Sequence, residues 1–142
     1  METSKISLQA RGSSTDLSLH FWFDGCKISE MSLTPEWQDF VHEFPDEESD
    51  HVFEIELCGK KSEHTVIDEQ GTIVSDVIAE IGCIALDDIE LGHVFSEQSQ
   101  YHHDHNGSTD ALQAKFFGIM GCNGRVILRF HSPVYLWLLE NT

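Results

Sequence analysis

Leu17, Leu19, Phe21 and Phe23 alternate with Ser18, His20, Trp22 and Asp24. Successive side chains of a β-strand point to opposite faces, so a run of this kind hides one side and wets the other. The pattern returns in Phe53, Ile55 and Leu57 against Glu54, Glu56 and Cys58, and in Phe40 and Phe44 against Val41 and Glu43. Val126, Leu128 and Phe130 line one side of residues 125–131. Turn chemistry separates these runs. Asp24-Gly25 and Asn123-Gly124 are hairpin dipeptides, Asp68-Glu69-Gln70-Gly71 is a further turn, and Thr34-Pro35 and Ser132-Pro133 break the chain. Eight to ten short strands at this spacing, without a convincing amphipathic helix, predict an all-β fold. The expected architecture is an antiparallel β-sandwich of jelly-roll type.

Other segments carry weaker patterns. Residues 1–15 are rich in Ser and Thr and read as a flexible N-terminal arm, which leaves 16–142 as a single sandwich domain. The chain's 142 residues suit one domain. The apolar stretch from Val77 to Leu91 divides into strands 77–86 and 88–92, joined through a bulge at Asp87-Asp88. Residues 96–114 form a long polar loop, the kind that carries function or moves. Phe116 to Met120 reads as a strand. Val134 to Leu139 is apolar on both faces, so it is expected as a final strand central in its sheet.

Lys and Arg total 8 against 25 Asp and Glu, a formal charge of −17. Phosphate backbones and anionic bilayers repel such a surface, so neither nucleic acid nor membrane is an expected partner. The four cysteines, Cys26, Cys58, Cys83 and Cys122, contain no C-x-x-C pair and sit beside apolar residues. They read as buried free thiols, which suits a reducing compartment. Met1 to Arg11 has no apolar h-region, so no signal peptide is expected, and a reducing cytoplasm is the expected place of synthesis.

Four constellations could carry chemistry. Aromatics lying off the core pattern could stack on sugar rings, with Trp22, Trp37 and Tyr101 as candidates beside Tyr135 and Trp137. Carboxylates would orient hydroxyls, with Asp87 and Asp88 as candidates; as a remote alternative, an acidic pair could serve a small glycoside hydrolase. Asp104-His105-Asn106-Gly107-Ser108-Thr109-Asp110 places oxygen side chains around a glycine, which a calcium loop needs and an ordinary Asn-Gly turn also provides. Its candidate metal ligands are Asp104, Asn106 and Asp110. His102, His103 and His105 could hold zinc or nickel, or simply be a polar loop. The sequence holds no G-x-S-x-G, H-E-x-x-H or phosphate-cradling glycine loop, so no catalytic residue is assigned.

From Leu17 to Leu91, the order of Asp24-Gly25, Glu36-Trp37-Gln38-Asp39-Phe40, His51-Val52-Phe53-Glu54-Ile55-Glu56-Leu57 and Ile84-Ala85-Leu86-Asp87-Asp88-Ile89-Glu90-Leu91-Gly92 resembles the jelly-roll carbohydrate-binding modules, especially the small calcium-dependent xylan-binding type. Three further segments are similar to small uncharacterised proteins of marine tailed phages. They are His20 to Gly25, Gly118 to Gly124 and Pro133 to Asn141. The first resemblance implies a non-catalytic glycan-binding module assisted by calcium. The second implies a viral origin, and with it the alternative of a virion structural or assembly protein that binds another protein.

Overall fold

The computed structural model describes residues 3–59, 66–67, 69–71, 73–75, 77–103, 112–114, 116, 118–120 and 123–141. Among them are strands β1 (Thr3–Gly12), β2 (Ser18–Phe23), β3 (Cys26–Ser32), β4 (Gln38–Pro45), β5 (Ser49–Cys58), β6 (Val66–Ile67), β7 (Ile73–Ser75), β8 (Ala79–Leu86), β9 (Ile89–Glu90), β10 (Ser99–His103), β11 (Leu112–Ala114), β12 (Ile119–Met120) and β13 (Gly124–Ser132). Two short helices join them, α1 (His93–Gln98) and α2 (Val134–Asn141). Eight of the strands run five residues or longer. The fold is an antiparallel β-sandwich. One sheet has the order β12-β8-β1-β4, with β9 hairpinned onto β8, and the other has the order β11-β10-β13-β5-β2-β3. A small β6-β7 ribbon stands apart from both.

Alternation builds the core. Ile6, Leu8 and Ala10 of β1 and Phe40 and Phe44 of β4 face Leu19, Phe21 and Phe23 of β2, Phe53, Ile55 and Leu57 of β5, and Val126, Leu128 and Phe130 of β13. Phe21 and Phe40 stack across the two sheets with ring centroids 4.0 Å apart and planes 13° from parallel. Burial of such rings supplies the dominant drive to fold, about 25 cal/mol per Å² of apolar surface removed from water.

Several expectations are corrected. Residues 3–12 are no loose arm: β1 lies between β4 and β8 and hydrogen-bonds to both. Ile6, Leu8 and Ala10 take its inward positions, and Gly12 must be glycine because a Cβ there would stand 2.8 Å from the Leu33 Cβ. Residues 134–139 are helical. Val134, Trp137 and Leu138 are buried at the i, i+3, i+4 spacing of one helix face. The Val134 amide donates to Asp46 Oδ1 at 3.3 Å, which satisfies a first-turn donor.

The strand expected over 88–92 is only Ile89–Glu90, and the stretch expected as a polar loop over 96–114 holds the end of α1 and the strands β10 and β11. Phe116 is a buried plug, and the strand expected over 116–120 is confined to Ile119–Met120. The bulge lies at Cys83 instead of Asp87-Asp88. Ser7 pairs with Ala85 and Gln9 with Gly82, so β8 carries one extra residue, and Cys83 takes φ +53°. That shift lets both Ile81 and Ile84 point inward. Asp87 and Asp88, at φ +51° and +65°, form a two-residue turn between the paired Leu86 and Ile89. Three of the thiols are less buried than expected: Cys26 and Cys83 are exposed and Cys58 is half-buried, because they occupy a hairpin corner, the bulge and an outward strand position, while Cys122 lies outside the described residues.

Candidate functional site

The outer face of the five-stranded sheet gathers two of the expected ligand-binding residues. Lys5, Ser7, Gln9 and Arg11 point outward from β1, beside Asp39, Val41 and Glu43 of β4. Trp37 lies one residue before β4 and in phase with Asp39. It is 43% exposed. Its indole packs over Gly82, where a Cβ would lie at an ordinary contact distance of 3.4 Å. The Arg11 guanidinium carbon lies 4.5 Å from the Trp37 ring centroid, and its Nη2 donates to Glu80 Oε2 at 3.0 Å. Beside them runs a groove of about 300 Å³ lined by Lys5, Ser7, Gln9, Asp39, Cys83 and Asp88 among others. Gln9 Nε2 donates to Asp39 Oδ1 at 3.0 Å, and Lys5 pairs with Asp88 at 3.0 Å.

The two adjacent turn aspartates differ in role. Asp88 lines the groove. Asp87 instead fastens β1: its Oδ2 accepts from Ser4 Oγ and its Oδ1 from the Lys5 amide, both at 2.9 Å, while its own amide donates to the Lys5 carbonyl.

Trp22 stands on the opposite outer face, that of the six-stranded sheet, so it cannot share a ligand with Trp37 across the groove. It is half-buried. Its Nε1 donates to Glu56 Oε1 at 3.1 Å, and the Arg125 guanidinium carbon lies 4.6 Å from its ring centroid. Arg125 also approaches Glu54 at 3.5 Å and Glu56 at 3.4 Å. His20, Cys58, Lys27 and Glu30 complete this patch. Burial, then the Glu56 charge, pushes the Cys58 thiol above its ordinary pKa, and Arg125 partly opposes that. The hydrogen bond from Lys27 holds the Glu30 carboxyl below its ordinary value.

Tyr101 is not a platform. At 7% exposure it belongs to the core, edge-on to Phe116, because β10 turns it inward. Asp104, Asn106 and Asp110 lie outside the described residues, as does His105. Half-buried His102 has its Nε2 3.2 Å from Gln100 Oε1. Among the described residues, three or more groups able to hold an ion converge at His20, Glu56 and Cys58. One carboxylate, one imidazole and one thiol do not fit calcium, which takes six to eight oxygens.

A further constellation was invisible in sequence because residues 24, 51 and 132 are far apart. His51 Nδ1 lies 2.8 Å from Asp24 Oδ2, and its Nε2 lies 3.0 Å from Ser132 Oγ. The order of groups is that of a Ser-His-Asp triad. An attacking hydroxyl must reach a substrate carbonyl, yet Ser132 is 1% exposed and its hydroxyl is held against the Glu47 carbonyl. His51 is enclosed by Phe23, Phe44 and Phe130. The trio therefore clasps the Asp24-Gly25 turn to β5 and β13, and the Val52 amide, donating to Asp24 Oδ1 at 2.8 Å, strengthens the clasp.

Among the described residues, no helix is long and apolar enough to cross a membrane. No family model matches the sequence, and no curated protein matches it. Two solved structures are similar to the chain. One is the selenomethionine form of vCBM60, from work linking two families of calcium-dependent carbohydrate-binding modules by circular permutation. It aligns with a TM-score of 0.57 and 12% identity over 88% of this chain and 89% of that one. The other, vCBM60 in complex with galactobiose, aligns with a TM-score of 0.55 and 14% identity over 87% of this chain and 96% of that one. At such identities the likeness is one of fold, and the chain shares the two-sheet architecture of these carbohydrate-binding modules.

Proposed function

We propose that this chain is a non-catalytic carbohydrate-binding module that holds a glycan along the outer face of its five-stranded sheet. One observation carries the proposal: the exposed Trp37 stands in line with a groove edged by Ser7, Gln9, Asp39, Lys5 and Asp88. An aromatic face packs on the apolar side of a sugar ring, while amides and carboxylates meet its hydroxyls. The fold shared with vCBM60, a protein solved with galactobiose, supports the same reading. In this reading Asp104, Asn106 and Asp110 are the oxygen ligands of an assisting calcium ion.

A glycan array that includes galactobiose, run with calcium and then with a chelator, tests the function. Binding that falls at least tenfold in Trp37→Ala supports both function and site. A blank array with folded protein sinks the function, and full binding by Trp37→Ala sinks the site. Loss of binding in chelator supports the calcium role, and unchanged binding removes it.

A second reading, a virion protein that docks on another protein, is favoured by a different observation. Helix α2 turns Tyr135, Leu136 and Leu139 to solvent. Exposed apolar side chains in a cluster suit a protein partner. In this reading the chain is of phage origin and appears in mass spectra of purified particles; its absence from them counts against the reading.

A further inference from the structure

The outer face of the six-stranded sheet holds a cluster that the glycan proposal does not use. His20 on β2 is paired directly with Glu56 on β5, and Cys58 lies two residues along β5 on the same face. His20 Nδ1 stands 3.8 Å from Cys58 Sγ and 3.7 Å from Glu56 Oε1. All three ligand atoms lie within 4.8 Å of one another. A tetrahedral zinc ion, with bonds of about 2.3 Å to sulfur and about 2.0 Å to nitrogen or oxygen, separates its ligands by about 3.3–3.6 Å. The two edges that meet at His20 are thus within a few tenths of an ångström of that figure before any ion is added.

The surroundings suit a metal as well. β2 and β5 are interior strands, each paired on both sides, so their backbones hold the ligands in register. His20 Nε2 faces Glu30 Oε1 at 3.9 Å, Glu56 Oε1 accepts from Trp22, and Glu56 Oε2 faces Arg125. Carboxylates and hydrogen-bond donors behind the ligands fix their orientation. Strand register sets His20 opposite Glu56 at ion-pair distance and puts Cys58 within a sulfur hydrogen bond of the imidazole, so the three donors already converge. Sulfur, nitrogen and oxygen donors together select zinc and its neighbours over calcium or magnesium.

We propose that His20 Nδ1, Glu56 Oε1 and Cys58 Sγ form a three-ligand site for a zinc-class divalent ion, with a fourth position open to water or another exogenous ligand. The site is independent of the glycan groove, which lies on the other sheet.

Cobalt titration of the full reduced chain tests it. One equivalent is expected to produce a thiolate-to-cobalt charge-transfer band and tetrahedral visible bands, both abolished by added zinc. Cys58→Ser removes the charge-transfer band, and His20→Gln or Glu56→Gln weakens zinc binding at least tenfold, while Cys26→Ser and Cys83→Ser change neither. Urea midpoints of the variants serve as the folding control. In the unsubstituted chain, one equivalent of zinc slows alkylation of Cys58 at least tenfold and leaves Cys26 and Cys83 unaffected. Absence of the band, its persistence in Cys58→Ser, zinc affinity unchanged by His20→Gln, or equal alkylation of Cys58 with and without zinc would overturn the site.

Discussion

Trp22 and Trp37 have the same kind of neighbours and different fates. Each lies beside an arginine, Arg125 at 4.6 Å and Arg11 at 4.5 Å, and each arginine is tied to glutamate. Position in the sheet separates them. β2 is interior, so Trp22 has cross-strand neighbours on both sides, and its indole N–H is taken by Glu56. β4 is an edge strand, so Trp37, just ahead of it, has a neighbouring strand on one side and keeps 43% of its surface in solvent. An outward tryptophan on an interior strand becomes part of the structure, whereas one at the margin stays available to a ligand.

That contrast yields a double dissociation. Trp22→Ala removes a half-buried ring together with its hydrogen bond and cation contact, and it is expected to cost about 2–3 kcal/mol of unfolding free energy. Glycan affinity should stay within twofold. Trp37→Ala should do the reverse: a tenfold loss of affinity, equal to about 1.4 kcal/mol, with less than about 1 kcal/mol of stability lost. Urea titrations and calorimetry with an array-positive glycan measure both quantities. If the two variants behave alike, sheet position does not sort the tryptophans.

The sequence made β2, β5 and β13 at the centre of the six-stranded sheet legible, hid β10 and β11 in a stretch expected as a loop, and left much of the other sheet obscure. Runs such as Leu19, Phe21 and Phe23 write their period in large side chains. β1 writes the same period with Ile6, Leu8 and Ala10, a weaker signal because Ala is small and Ser4 takes a further inward position. The Cys83 bulge shifts the phase within β8, so no single alternation runs through residues 79–86. α2 was missed because Leu136 and Leu139 are exposed apolar residues that blur its i, i+3, i+4 face. Of the candidate site, sequence offered Trp37 and Asp88 but not Gln9, Asp39 or Ser7, which only strand register brings together. Tyr101 carried no mark of the inward turn that β10 gives it.

Two neighbouring aspartates sharpen the contrast on a smaller scale. Asp87→Ala strips the acceptors of Ser4 Oγ and the Lys5 amide and should cost about 1–2 kcal/mol. Asp88→Ala loses the exposed pair with Lys5, about 0.5 kcal/mol or less, and both alanines also carry the positive-φ cost of the turn. Glycan affinity should respond in the opposite order, falling in Asp88→Ala and holding in Asp87→Ala. Equal affinity losses would mean that the turn acts through its shape and not through the Asp88 carboxylate.

The smallest expected effect lies on the inner side of the strand that carries the groove. Val41 and Glu43 face out from β4, while His42 turns toward the cleft between β4 and β3, its ring 4.7 Å from Phe23. Burial lowers the His42 pKa, and the nearby Asp24 charge partly restores it. A depressed value in the folded chain means that the unfolded chain takes up the proton first as pH falls below about 6.5. The unfolded state then binds more protons, so stability drops on acidification through that window and its His42 component is fully present above it. Substituting His42→Asn should flatten the decline between pH 8 and pH 5.5 without altering glycan affinity at pH 8. Urea midpoints at both pH values provide the readout. Parallel declines in parent and variant would show that His42 titrates as freely as an outward residue, which would erase the distinction between the two sides of β4.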